Sequence, residues 1–230
     1  MTKVNIKYFT TKEWLIIICS FLAIITSYLI FDRNNYLTLI ASLIGAFAIM
    51  LHAKGNPFGQ ILMVAFSIIY AIISYSYSYY GEMITYLGMT LPMAVFSFIV
   101  WLKNPYKGNK TQVKIARFTK EMAISLSIFA IVVTTAFYFI LKHFNTNNLV
   151  ISTISITTSF SAAFLTFRRS SYYALFYCLN DIVLIVMWIL ASIYNTSYIC
   201  VVVCFFVFLF NDVYGFINWK KMELKQALNL

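Results

Sequence analysis

Apolar residues run in long, nearly unbroken stretches at roughly 14–31, 36–53, 58–80, 82–102, 122–142, 147–167, 172–193 and 197–217. Each is close to the 17–25 or so residues that a helix needs to cross a bilayer. The pattern therefore predicts an all-α, polytopic membrane protein of eight transmembrane helices. The junctions at Asp32–Asn35 and Gly81–Glu82 leave room only for tight turns, so successive helices should run antiparallel and pack side by side. The first stretch follows a basic N-terminus but shows no small-residue cleavage pattern, which predicts a retained helix and not a signal peptide.

Composition supports this reading. A chain of 230 residues that is 62% apolar, 19% aromatic and only 10% charged has too little polar surface to cover a soluble globule. The net charge of +10 is not a nucleic-acid footprint, because its lysines and arginines lie in short segments between spans. If the helices alternate, fifteen of the 17 basic residues fall on one side, among them Lys3, Lys7, Lys54, Lys103, Lys114, Arg168 and Lys220, and only Arg33 and Lys142 on the other. Positive charge is retained in the cytoplasm, so both termini are expected there and the protein in a bacterial cell membrane. The four cysteines all lie within apolar runs and read as small packing residues, with no disulfide or metal framework.

The spans also repeat. A shift of 114 places Lys54 on Arg168, Ser67 on Asp181 and Tyr80-Gly81 on Tyr194-Asn195; a shift of 118 places Trp101-Leu102-Lys103 on Trp219-Lys220-Lys221. The organisation expected is a tail and extra helix (1–35), a three-helix unit (36–104), a basic loop and linker helix (105–146), a second three-helix unit (147–219) and a tail (220–230). The linker helix returns the chain to its starting side, so the one-plus-three-plus-one-plus-three order makes the two units a parallel repeat. Transporters often hold their solute between such copies, near the midplane.

An ionisable residue inside a span costs about 2.5–3.5 kcal/mol on insertion scales and usually faces a partner or a water-filled cavity. Asp181 and Asp212 are two such residues, each preceded by asparagine and at similar depth. Helical spacing puts Asp181 in line with Trp188, and Asn211 in line with Tyr214 and Asn218. Gln60, Ser67 and Ser74 share another stripe, flanked by Tyr70 and Tyr77. An amide beside an aromatic plane suits a flat, hydrogen-bonding solute, which makes Asn180, Asp181, Trp188, Asn211, Tyr214, Asn218, Gln60 and Tyr70 the candidate substrate contacts. Buried Asn and Asp can equally fasten helix to helix. Trp101 and Trp219, each followed by lysine, read as an interfacial aromatic belt, and His52 and His143 as solvated helix-end residues. The Ser and Thr series from Ser152 to Ser161 suggests close helix packing, and Pro92 a kink. No phosphate loop, metal cluster or nucleophile–base arrangement is present, so neither a cofactor nor ATP-driven pumping is expected.

Three segments resemble signatures of the PnuC vitamin transporters: Asn180-Asp181 through Trp188, Asn211-Asp212-Val213-Tyr214-Gly215 through Trp219-Lys220, and Tyr80-Gly81-Glu82 with Leu91-Pro92-Met93 and Trp101 to Asn104. The resemblance covers about residues 36–223. It implies a fold related to the SWEET sugar transporters, a homotrimer, and facilitated diffusion of nicotinamide riboside with trapping by a separate cytoplasmic kinase. It also implies stacking on the pyridine ring by Trp188 and hydrogen bonding by Asn180 and Asn211. Relatives often carry glutamine near the Pro-Met step where this chain has Ala94, so a thiamine or (deoxy)nucleoside carrier remains an alternative. A membrane enzyme using Asp181 and Asp212 is the competing class.

Overall fold

The computed structural model describes residues 8–76, 80–146 and 148–228; Lys3, Lys7 and Tyr77 lie outside the described residues. Among the described residues there are eight helical spans long and apolar enough to cross a membrane, as the apolar runs predict. They are α1 (Thr11–Phe31), α2 (Tyr36–Ala53), α3 (Phe58–Ser76), a fourth span made of α4 (Tyr80–Thr85), a π turn (Tyr86–Thr90) and α5 (Leu91–Lys103), then α6 (Lys120–His143), α7 (Leu149–Phe167), α8 (Tyr173–Ser192) and α9 (Ile199–Ala227). The expected kink at Pro92 takes the form of that π turn. Proline offers no N–H to the preceding turn, and the helix widens so that the Leu91 N–H reaches the carbonyl of Tyr86, five residues back.

Between α5 and α6 the basic loop folds into a small antiparallel hairpin, β1 (Pro105–Tyr106) and β2 (Asn109–Val113), turned by Lys107 and Gly108 at positive φ. Hydropathy gave no sign of it, because its strands are short and polar.

The 114 shift also relates two backbone turns. Gly55 and Arg169, related by the 114 shift, both adopt the left-handed conformation just beyond α2 and α7. Each turn is closed in the same way, with Gly55 N donating to His52 O and Arg169 N to Thr166 O. Contacts across the copies follow the same rule, α9 packing on α2 and α5 on α7.

The tryptophans lock this arrangement reciprocally. Trp101 Nε1 donates to Thr166 O at 2.8 Å, and Trp219 Nε1 donates to His52 O at 2.7 Å. The carbonyls are equivalent positions of the opposite copies. Both indoles are 0% exposed with ring centroids 5.4 Å apart, and His52 packs 5.7 Å from Trp101. The aromatic-belt reading of Trp101 and Trp219 and the solvated reading of His52 are thereby corrected. These side chains lie between the two units, where an N–H must find a protein acceptor because water is absent. His143 is exposed, as expected.

The segment joining the copies bonds to both turns, Val113 N to Gly55 O and Ala116 N to Arg169 O. With Lys54, Lys103 and Arg168 it defines one basic end of the bundle.

Helix α1 docks against α2 and α9. It starts in a capping box, with Thr10 and Glu13 each accepting from the other's backbone N–H. The buried Glu13 carboxylate also pairs with Lys54 Nζ at 3.0 Å and accepts from Tyr214 Oη at 2.7 Å, so three helices meet on one carboxylate. Removing one partner of a charged hydrogen bond should cost about 2 kcal/mol. Glu13→Ala and Lys54→Ala should each lower the denaturation midpoint of the detergent-solubilised protein. The double variant should lose less than the sum, with a coupling of about 1 kcal/mol.

Candidate functional site

The second copy supplies the acidic wall of a central chamber. On α8, Tyr177, Asn180 and Asp181 stand at spacings of three and four, and on α9 Phe205, Phe208 and Asp212 do the same, so each set shares a helix face. The chamber between them has a free volume of about 40 Å³ and is closed by Ile49 and His52 of α2, Met63 and Phe66 of α3, Tyr86 and Thr90 of the π turn, and Ser159 of α7. Asp181 and Asp212 are each 3% exposed, and their carboxyl groups meet side chain to side chain in its wall. Among the described residues, Asp181 Oδ2 has no hydrogen-bond partner. The π turn matters here, since it carries both Tyr86 and Thr90 into the wall. Gly45 of α2 matters too: a Cβ there would stand 2.4 Å from Phe208 Cζ and 3.1 Å from Phe66 Cδ2, so the bare backbone leaves room for two rings of the chamber wall to pack against α2.

Of the candidates named from the sequence, Asn180 and Asp181 line this chamber. Asn180 Oδ1 also accepts from Thr158 at 2.9 Å and from Ser155 at 3.4 Å, so the amide is held in place by α7. Gln60 lies in a smaller neighbouring cavity that shares Met63, Thr90 and Tyr177 with the chamber, and its Nε2 has no partner among the described residues. Tyr70 packs on Tyr86, with centroids 4.4 Å apart, and on Phe66 at 5.4 Å, while its hydroxyl meets the Trp188 indole.

Trp188 lies beyond this aromatic group, in the wall of a second cavity toward the end opposite the basic residues, and packs against Tyr198. Phe66, Tyr86, Tyr70 and Trp188 thus form a partition between the two spaces.

Three candidates point elsewhere. Asn211 Oδ1 accepts from Ser20 of α1 at 3.2 Å. Tyr214 is engaged by Glu13, and Asn218 Nδ2 donates to Ala53 O at 2.7 Å at the basic end. The reason is helical geometry: the stripe through Asn211, Tyr214 and Asn218 faces α1 and α2, and the stripe through Phe205, Phe208 and Asp212 faces the chamber. Asn211 and Asn180 therefore both fasten helices, and only Asn180 does so from the chamber wall. The aromatic lining was missed because sequence reading weighted polar residues; the signal was present in the spacing of Phe205, Phe208 and Asp212. Among the described residues no group of His, Cys, Asp and Glu could hold a metal ion.

The sequence is 25% identical over 218 residues, 93% of this chain and 82% of its relative, to the nicotinamide riboside transporter PnuC of Neisseria mucosa. The fold superimposes on the crystal structure of the vitamin B3 transporter PnuC with a TM-score of 0.83 at 21% identity, covering 95% of this chain and 94% of that one. Residues 35–221, which span both three-helix units, match the family described as nicotinamide mononucleotide transporter. The chain is a multi-pass membrane protein that belongs to this transporter family.

Proposed function

We propose that the protein carries nicotinamide riboside into the cell by facilitated diffusion, with the basic end in the cytoplasm and the solute passing through the chamber that Asp181 and Asp212 line. The observation that carries this reading is the charge of the interior. The cavity walls within the membrane bear carboxylates, amides and aromatic rings, and no span has a lysine or arginine away from its ends. A phosphate in such a place would have no cationic partner, whereas a pyridinium would meet Asp181 and Asp212. The riboside therefore fits better than the mononucleotide. Asn180, fixed by Thr158 and Ser155, would hydrogen-bond the solute, and Tyr86 and Phe66 offer flat faces for its ring.

Transport would proceed by rocking of one three-helix unit against the other, the usual consequence of a repeat with its site between the copies. The chamber as it stands is too small for a nucleoside, so its aromatic walls must part for passage. A separate cytoplasmic kinase would then trap the solute, and the family resemblance further supports a homotrimer.

In proteoliposomes, counterflow of labelled nicotinamide riboside should saturate and should persist when proton and sodium gradients are collapsed. Nicotinamide mononucleotide should neither compete nor be carried. Thiamine and a deoxynucleoside are the comparators, and preferential counterflow of either would overturn the substrate assignment. Gly45→Ala should fold and reach the membrane but slow this flux by roughly tenfold or more, because Phe208 is pushed into the chamber, the kind of loss expected when a small displacement disturbs a fitted site. Asp181→Asn should weaken riboside binding, measured by tryptophan fluorescence of the purified protein, with little effect on its thermal midpoint.

A further inference from the structure

At the end of the bundle opposite the basic residues, the start of α4, the approach to α7 and the last turns of α8 enclose a cavity of about 350 Å³. That lies within the range of roughly 300–1,000 Å³ typical of small-molecule sites, and it far exceeds the 40 Å³ of the central chamber. Its walls carry Glu82, Asn148, Ser152, Trp188 and Tyr194. Glu82 is only 7% exposed, and among the described residues no hydrogen bond or ion pair reaches its carboxylate. A buried carboxylate without a partner is costly at the edge of a membrane, and a cation entering the cavity would offset that cost. The same wall presents the Trp188 indole, whose face attracts cations. A carboxylate and an indole on one cavity, with backbone and hydroxyl groups around them, make a receptor for a flat organic cation.

We propose that this cavity is an external entry site at which Glu82 and Trp188 hold the cationic ring of the solute before it crosses the aromatic partition to the chamber. The inference rests on the reading that the basic end is cytoplasmic and that the solute is a pyridinium riboside. Geometry supports a two-step passage. Trp188 and Asp181 stand seven residues apart on α8, about 10 Å along the helix. Tyr70 touches Trp188 of the outer cavity by its hydroxyl and Tyr86 of the chamber wall by its ring. A solute released by Glu82 would therefore meet Asp181 only after Tyr70 has moved.

The test compares nicotinamide riboside with its 1,4-dihydro form, which has nearly the same shape and no ring charge. For purified Glu82→Gln, binding of the cationic riboside should weaken roughly tenfold, the scale of one charge–charge interaction across several ångströms in a partly buried site, while binding of the dihydro form should not change. Glu82→Asp should retain most of the discrimination. Equal weakening of both ligands, or no change in either, would overturn the proposal.

A second measurement does not depend on the solute or on transport. Ala191 lines the same cavity, and Ala191→Cys should react faster with a trimethylammonium thiosulfonate than with a sulfonate one, both applied from outside and compared with the unsubstituted protein. Glu82→Gln should abolish that preference. Loss of riboside binding with the charge preference intact would remove the substrate assignment and leave the cation site standing; absence of the preference would remove the site.

Discussion

Two indole N–H groups determine how the halves of this protein meet. At the ends of α2 and α7 the last carbonyls have no partner within their own helix, and in a bilayer there is no water to supply one. Turn residues take one lone pair of His52 O and Thr166 O, and the tryptophan of the opposite copy takes the other. Each copy thus completes the helix end of its counterpart. The requirement fixes α9 on α2 and α5 on α7, and with them the distance across which Asp181, Asp212, Phe66 and Tyr86 face one another. The hairpin segment adds its own bonds to Gly55 and Arg169, so the closed end is held by backbone as well as by rings.

The spans and their number were legible because the thickness of hydrocarbon imposes a length on every apolar run. The depth of the two aspartates was legible for the same reason, since counting residues from the helix ends puts them level. What sequence could not supply was rotation. Trp101 and Trp219 precede lysines, as residues of an interfacial belt do, and only the packing of one copy on the other turns them inward. Asn211, Tyr214 and Asn218 form a polar stripe that attracts notice, yet that stripe meets α1, a helix outside the repeat. The chamber uses the neighbouring face, where Phe205 and Phe208 look like ordinary membrane residues. The π turn is likewise a compromise between Pro92 and its neighbours that no propensity scale expresses.

The polar residues of the interior divide into two kinds of work. Asn180 and Asn211 join helices, each through a hydroxyl on the neighbouring element. Asp181 and Asp212 engage each other and Glu82 engages no described side chain, and all three line spaces that the backbone leaves open. Between these spaces the rings of Tyr70, Tyr86 and Phe66 meet edge to face, tilted and stacked, and the Tyr70 hydroxyl reaches the Trp188 indole. Such contacts are individually weak and can be exchanged for others of similar strength, so the partition can yield while the tryptophan clasp at the basic end holds.

The two units have the same order of spans and unequal charge. Where the second carries Asp181 and Asp212, the first carries Ser67 and, by the 118 shift, Ala94. A container made of two identical halves would accept a guest in either of two equivalent poses, and a polar guest would be sorted no better than a symmetrical one. Placing both acids of the chamber in one half abolishes that equivalence. A molecule with a positive ring at one end and a neutral sugar at the other would then lie only one way round, and the likeness of the halves would no longer dictate the symmetry of what passes between them.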